Sequence, residues 1–530
     1  MSGVSTRVVV VGHGMVGSRF VDDLLERDAA GRFDVTVLGA EEYEPYNRVL
    51  LSELVAGKVE LAALGLGAGG NPRARVLPGV AAVGVDRGAR VVLASDGGRH
   101  AYDVLVLATG STARIPPIAG LSPLPAGVHP LRTLDDAREI VAATLNAHRA
   151  VVVGGGVLGL EVATGLARRG LCVTIVHGAG HVMERQLDLD AAAVVARRLE
   201  SLGIALRTGV FTTQADVEGG RVVGLGLADG TRLPADLVVV AAGTVPEASL
   251  AAQAGLAVER GVVVGEDLAT PADPRVFAIG DCAQPPEGGT GLIAQGWDQA
   301  RRLAVELVAR AAGAAGTGAG EDPTPAHAAG TDLVRLKAHG LDVLTMGVCG
   351  PRPGDPADHR LVRLSDPSAG RHLEIVVADG RLVGATCVGA GSVGADLTAA
   401  YTRATPLPTD PAMLLLRPVQ GVATQAPSPT LMPDRTTVCR CNGVTKKDIV
   451  TCWRAGADTI EEVARGTRAT TGCGGCSDVV GGLLEWLAST DPDRRRAPAP
   501  PAGRVAEVTG PVPPAPGTAG ADPAEVRVPA

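Results

Sequence analysis

Aromatic side chains are scarce: three tryptophans, four tyrosines and four phenylalanines make up 2% of 530 residues. A platform for stacking single-stranded bases is therefore not expected. A net charge of −8 argues against nonspecific binding to nucleic acid. No uninterrupted apolar run reaches transmembrane length, and the greasiest stretch, residues 303–316, is broken by Glu306 and Arg310. No N-terminal segment combines a basic start, an apolar core and a cleavage site. A cytoplasmic protein with no membrane partner is the expectation. Nine cysteines are too few for a disulfide scaffold in a chain this long. What is present, 46% hydrophobic residues, supports several domains with ample core.

The chain is organised around residues 7–17, RVVVVGHGMVG. The segment up to Val11 reads as a buried strand. Gly12, Gly14 and Gly17 then form G-x-G-x-x-G, and a helix pattern runs from Ser18 to Arg27. Such spacing allows a tight turn, close approach of backbone N–H groups to a pyrophosphate, and packing of helix on strand. A second strand, 34–38, ends near Glu41, whose carboxylate can accept from both hydroxyls of an adenosine ribose. Arg48 follows, and reads either as a phosphate or flavin contact or as a surface arginine. The strand 102–107 runs into Ala108, Thr109, Gly110 and Ser111, small residues that let backbone lie against a cofactor. Residues 135–146 read as a helix. Gly154, Gly156 and Gly159 then repeat the strand, loop and helix grammar, with Glu161 one turn in. The strand that follows ends at His177, where an acid would favour NADH over NADPH. Without that acid the choice stays open; Arg185 meets a phosphate or pairs on the surface. Residues 236–246 close the second unit. A later strand delivers Gly280 and Asp281, whose carboxylate can accept from a ribityl hydroxyl.

Two dinucleotide units in one chain resemble the two-dinucleotide flavoprotein reductases, with FAD at the first loop and NAD(P)H at the second. Segments 45–52 (PYNRVLLS) and 176–188 (VHGAGHVMERQLD) resemble one branch. That branch is the flavoprotein part of the NAD(P)H nitrite reductase large subunit, together with the electron-transfer subunit of assimilatory nitrate reductase. The resemblance implies an α/β fold with two dinucleotide-binding, Rossmann-like domains, a small α+β domain and a small helical [2Fe–2S] domain. It implies that Gly12, Gly14, Gly17, Glu41, Arg48, Thr109, Gly110 and Asp281 touch FAD. Gly154, Gly156, Gly159 and Glu161 would line the nicotinamide site. The expected division is 1–118 with 247–310 for FAD, 119–246 for NAD(P)H, a linker at 311–330 and an α+β domain at 331–405. A proline-rich linker at 406–433, a [2Fe–2S] domain at 434–489 and a disordered tail at 490–530 complete it. In the α+β domain, Asp379 and Gly380 read as a hairpin turn, and Cys349 and Cys387 as core residues.

Five of the nine cysteines lie between Cys439 and Cys476. Cys439-x-Cys441 and Cys473-x₂-Cys476 are separated by 31 residues. Thr445 can cap a helix through Arg454, Asp458 or Thr459 another through Ala464, and residues 478–487 read as a third. Two helices would thus fold back and bring the pairs together, and the third would aim its N-terminal N–H groups at the thiolates. Cys452 sits inside the first helix and spaces badly as a ligand. Four cysteinates hold either zinc or a [2Fe–2S] cluster. The C-x-C pair is tighter than the usual zinc spacing, and a flavin reductase has use for a one-electron carrier. The spacing resembles the bacterioferritin-associated ferredoxin type of [2Fe–2S] domain.

No C-x₂-C or C-x₄-C lies near the first glycine loop, which disfavours a disulfide reductase, and Cys282 reads as structural. No catalytic acid or base is assigned, because hydride transfer needs none. The expected partners are a nicotinamide cofactor and a separate terminal nitrate or nitrite reductase. With no cysteine after Cys476, the chain is not expected to reduce nitrite unaided. The alternatives are a ferredoxin or rubredoxin reductase or an NADH oxidase-like flavoenzyme, in which the C-terminal module, iron–sulfur or zinc, is an accessory.

Overall fold

The computed structural model describes residues 5–66, 73–313, 332–349, 359–389, 393–416, 432–439, 442–470 and 476–490. Most of the two stretches read as linkers, the C-terminal tail, Cys441 and Cys473 lie outside those residues.

Val8, Val9, Val10 and Val11 are all buried. Consecutive β-branched residues covered on both faces are what a central parallel strand requires. Strand Thr6–Val11 accordingly pairs in parallel with Phe33–Gly39 on one side and Val104–Leu107 on the other. Ala74–Pro78 extends the sheet beyond Phe33–Gly39, and Asp273–Ala278 extends it beyond Val104–Leu107. The strand nearest Gly280 therefore belongs to the first sheet, though more than a hundred residues intervene. Helix Met15–Arg27 begins earlier than the sequence pattern suggests. Gly14 is its N-cap, so its first turn lies inside the glycine loop and its free N–H groups face the cleft.

The second unit repeats the plan. Arg149–Val153 is flanked in parallel by Cys172–His177 and Leu237–Val240, and the sheet continues to Ala205–Thr208 and Val128–Pro130. Helix Leu134–Ala143 carries a capping box from Thr133 and Asp136.

Beyond residue 332 an antiparallel sheet takes the order Val334–Leu336, Val343–Gly347, Arg381–Val388, Arg371–Ala378, Arg360–Asp366. Its central hairpin turns at Asp379 and Gly380, with φ of +50° and +68°, the doubly left-handed geometry that matches strand twist. Cys349 and Cys387 are buried there, and burial pushes the Cys387 thiol up to about 12. Arg363 of this sheet bridges Asp188 and Asp190, at the start of helix Leu189–Ser201, to buried Glu374. That ties the third domain to the second.

The last module holds helices Lys446–Arg454, Ile460–Thr467 and Ser477–Thr490 beside a short pairing of Thr437–Cys439 with Val444–Thr445. Thr445 and Thr459 each close a capping box. The second helix runs past Ala464 to Thr467 and stops where Arg468 turns left-handed, at φ +64°. Cys452 packs on that helix: a Cβ at Gly466 would stand 2.5 Å from its sulfur. Among the described residues no helix is long and apolar enough to cross a membrane.

Candidate functional site

A cleft of about 840 Å³ opens where the strands of the first sheet end. That volume lies at the upper end of the ~300–1,000 Å³ usual for ligand sites. Gly12, Gly14, Glu41, Arg48, Thr109, Gly110, Asp281 and Glu161 all line it. Gly17, Gly154, Gly156 and Gly159 do not.

The two glycine loops are built alike. A Cβ at Gly12 would stand 2.2 Å from the Ala108 carbonyl oxygen, and Gly12 has a φ of +113°. A Cβ at Gly154 would stand 2.3 Å from the Ala241 oxygen, at a φ of +124°. A Cβ at Gly17 or Gly159 would stand 2.0 Å from the carbonyl oxygen of the first glycine of its own loop. The middle glycines face open space: a Cβ at Gly156 would meet nothing within 4 Å, and one at Gly14 only the Arg48 Nε at 3.9 Å. Each loop is thus sealed behind and open in front, the shape a pyrophosphate needs.

Charged side chains converge on the cleft. The Glu41 carboxylate accepts from Arg48, and from the Tyr46 hydroxyl at 2.7 Å. Each of its oxygens keeps a lone pair for a ribose hydroxyl. The Arg48 guanidinium lies 4.8 Å from the Tyr46 ring centroid. Burial pushes the Tyr46 hydroxyl well above its ordinary pKa, so it stays a donor. Asp281 accepts from Ser111 Oγ at 2.9 Å and from Arg132 Nη2 at 2.8 Å. The Arg132 Nε donates to the Ser111 carbonyl at 2.9 Å. Arg132 and Tyr46 went unassigned in the sequence. Tyr46 lies two residues before Arg48, inside segment 45–52, a usable signal; Arg132 sits in a plain strand-to-helix connection that carries none. Thr109 Oγ1 donates to the Glu247 carbonyl at 2.5 Å. His13, between the first two glycines, is held below the usual histidine range by burial. Cys282 is fully buried, burial pushes its thiol up, and its sulfur donates to the Leu107 and Ile279 carbonyls. It is a free thiol, in no disulfide among the described residues.

At the second unit, Glu161 is only 4% exposed. It accepts from Ser52 Oγ at 2.6 Å, from the Lys337 backbone N–H at 3.0 Å and from Lys337 Nζ at 3.1 Å. Three parts of the chain therefore meet at one carboxylate. His177 fills the place of the missing acid. Its Nδ1 accepts from the Gly155 N–H at 3.1 Å, so its proton is on Nε2, which donates to Glu184 at 2.9 Å. An acid thus does reach this position, seven residues later in the chain and through an imidazole.

In the last module Cys439 and Cys476 are buried in one apolar cluster with Ile449, Trp453 and Val463. Asn442 Nδ2 donates to Cys439 Sγ at 3.8 Å. Cys476 directly precedes the N-terminus of helix Ser477–Thr490. Its thiolate would be eased by that helix end. Two buried sulfurs, one beside an amide donor and one beside a helix N-terminus, suit an anionic iron–sulfur cluster.

Two Rossmann-like units around a shared cleft, followed by an antiparallel domain, define a two-dinucleotide flavoprotein reductase. Residues 6–313 match the pyridine nucleotide-disulphide oxidoreductase family, and this chain belongs to it. Residues 437–486 match the BFD-like [2Fe-2S] binding domain. The nitrite reductase [NAD(P)H] large subunit of Klebsiella oxytoca is 35% identical over 486 residues, covering 90% of this chain and 49% of that protein. The assimilatory nitrate reductase electron transfer subunit of Bacillus subtilis (strain 168) is 28% identical, covering 92% of this chain and 60% of that protein. The chain thus spans about half to three fifths of these curated relatives. The reductase in the covalent putidaredoxin reductase–putidaredoxin complex matches with a TM-score of 0.67 and 26% identity, covering 78% of this chain and 96% of that one. The chain is an oxidoreductase whose cofactors are FAD, NAD(P)H and a [2Fe–2S] cluster.

Proposed function

We propose that this chain oxidises NAD(P)H and delivers the electrons singly, through FAD and the cluster, to a separate assimilatory nitrate or nitrite reductase. The observation that carries this is the placing of the cysteine module: it packs on helix Met15–Arg27, the helix that opens the first dinucleotide cleft. The curated relatives named for nitrite and nitrate reduction support the choice of acceptor. Use of NADH or NADPH as donor supports a cytoplasmic location.

When bound, FAD supplies a two-electron acceptor for hydride that can release electrons singly, and the cluster supplies a one-electron carrier. The protein's part is to bind, orient and exclude water. Gly12, Gly14 and Gly17 would hold the FAD pyrophosphate, Glu41 the adenosine ribose and Asp281, steadied by Arg132 and Ser111, the ribityl chain. Arg48, Thr109 and Gly110 would complete that contact. Gly154, Gly156 and Gly159 would hold the nicotinamide dinucleotide. Val157, Leu158 and Glu161 line the cleft from the second unit and would face the nicotinamide end. Cys439, Cys441, Cys473 and Cys476 would ligate the cluster. The division at 1–118 with 247–310, 119–246, 331–405 and 434–489 follows from those assignments.

The Glu184 carboxylate beside His177 opposes a 2′-phosphate, which favours NADH. Glu184→Gln is expected to raise the NADPH-to-NADH ratio of kcat/KM by ~5–30-fold, since one screened charge near a phosphate is worth ~1–2 kcal/mol. An unchanged ratio would remove Glu184 from this role. The functional reading as a whole is tested with the purified protein under anaerobic conditions. Iron and acid-labile sulfide at about two per chain are expected. NADH should reduce both flavin and cluster, and nitrate or nitrite turnover should require an added terminal reductase. Zinc in place of iron, or nitrite reduction by this protein alone, would overturn it.

A further inference from the structure

The seam between the cysteine module and the first dinucleotide unit is polar at its centre and specific. Arg19, one helical turn beyond Met15, donates from Nη1 to Asn442 Oδ1 at 3.0 Å. It is held for this by Asp23, which accepts from its Nε at 2.9 Å. The same Asn442 amide donates from Nδ2 to Cys439 Sγ at 3.8 Å and to the Arg468 carbonyl at 2.5 Å. Arg468 in turn pairs with Asp22, next to Asp23 on the same helix. Its backbone is left-handed at φ +64°, where glycine would be at ease. A side chain able to reach Asp22 is the physical reason for an arginine there. Beneath these groups lies an apolar plug of Met15, Leu66 and Trp297, all buried, with Trp297 Nε1 donating to the Met15 carbonyl at 3.3 Å. Met15 also lines the dinucleotide cleft. Cleft wall and cluster ligand are therefore linked through one helical turn, ~6 Å of rise, the Arg19 side chain and the Asn442 amide.

We infer that Asn442 couples the cluster to the flavin unit: one amide, accepting from Arg19 and donating to the Cys439 sulfur, both seats the module and sets the cluster's potential. This rests on the electron-relay reading above. For each NAD(P)H oxidised to NAD(P)⁺, one proton goes to solvent and two electrons cross the seam in turn. When bound by Cys439 and its fellow ligands, the cluster would supply a one-electron carrier that the acceptor reoxidises between the two electrons. An N–H donor to a ligand sulfur stabilises the more negative, reduced cluster and so raises its potential. The Arg468–Asp22 pair holds the register of the module on the helix and leaves the sulfur untouched. Asn442 and Arg468 are accordingly positioning residues, with separable effects.

The test uses full-length holoprotein and two readouts. Cluster midpoint potential is followed by electron paramagnetic resonance during dithionite titration, without nicotinamide. The rate at which reduced cluster appears after anaerobic mixing with one equivalent of NADH is followed by rapid freezing. Asn442→Ala is expected to lower the potential and slow the transfer at least tenfold. Asn442→Asp, which keeps an acceptor for Arg19 and adds a negative charge, is expected to lower the potential further. Asp22→Arg or Arg468→Asp alone should slow transfer at least tenfold with the potential and flavin reduction by NADH unchanged, and the double exchange should restore the rate. A wild-type potential in both Asn442 variants, or wild-type transfer in both single charge reversals, overturns the inference. Should Asn442→Ala fail to retain iron, Asn442→Asp and the charge exchange decide. Wild-type protein without iron and sulfide would instead overturn the relay reading itself. A normal NADH-reducible cluster indifferent to these variants would overturn only the coupling.

Discussion

Gly12→Ala and Gly154→Ala are expected to separate the two dinucleotides cleanly. Gly12→Ala should purify without yellow colour while keeping its iron, and Gly154→Ala should purify yellow yet resist reduction by NADH. The methyl group at either position meets a backbone oxygen, Ala108 at 2.2 Å or Ala241 at 2.3 Å. Neither oxygen is the end of a flexible side chain, so the strand itself would have to shift. The left-handed backbone adds ~1–3 kcal/mol of strain, and overpacking a further ~1–3 kcal/mol. Together ~2–6 kcal/mol against the cradle geometry weakens cofactor binding by ~30-fold to 10⁴-fold. Flavin content is read from absorbance after gel filtration, and Gly154→Ala is checked by dithionite, which should still bleach the flavin. A Gly12→Ala protein with full flavin content would sink the assignment of the first loop.

The second large effect belongs to the cysteines. Cys476→Ser is expected to reduce iron and sulfide from about two per chain to background. FAD content and flavin reduction by NADH should persist, and electron delivery to any external acceptor that depends on the cluster should disappear. The folding cost should be moderate, because Thr445, Thr459 and the apolar contacts of Ile449, Trp453 and Val463 hold the helices without metal. Circular dichroism of the variant would check this. If acceptor reduction survives loss of iron, the cluster is an accessory and the reading as a simple flavin reductase gains.

The parts of this architecture that could be read in advance are those governed by neighbours in the chain. Four valines before a glycine spell a central strand because branched side chains covered on both faces suit a parallel sheet. The helix start at Thr445 was readable from its hydroxyl ahead of a helical pattern, whereas the next start stayed open between Asp458 and Thr459 until the capping box of Thr459 with Glu462 settled it. Asp379 and Gly380 were readable because both must be left-handed in a tight hairpin. Helix ends were less legible. The first helix starts at Met15 rather than Ser18, because the cap is a glycine of the loop itself.

The site's supporting cast was not legible in the same way. Arg132 meets Asp281 across 149 residues, Lys337 meets Glu161 across 176, and Arg19 meets Asn442 across 423. Arg132, Lys337 and Arg19 belong to no motif, because each is chosen by the element packed against it rather than by its own segment. The missing acid after the second glycine loop is the most instructive case. Sequence spacing placed a histidine where a carboxylate was wanted, and only the turn from His177 to Glu184 brought the carboxylate in.

Local order therefore determined, from sequence alone, the family, the two glycine cradles and the existence of a cysteine module, since these depend on backbone conformation and short-range spacing. Tertiary structure alone decided where that module sits and which side chain touches its sulfur. Those are properties of surfaces meeting across the fold, and no periodicity along the chain encodes them.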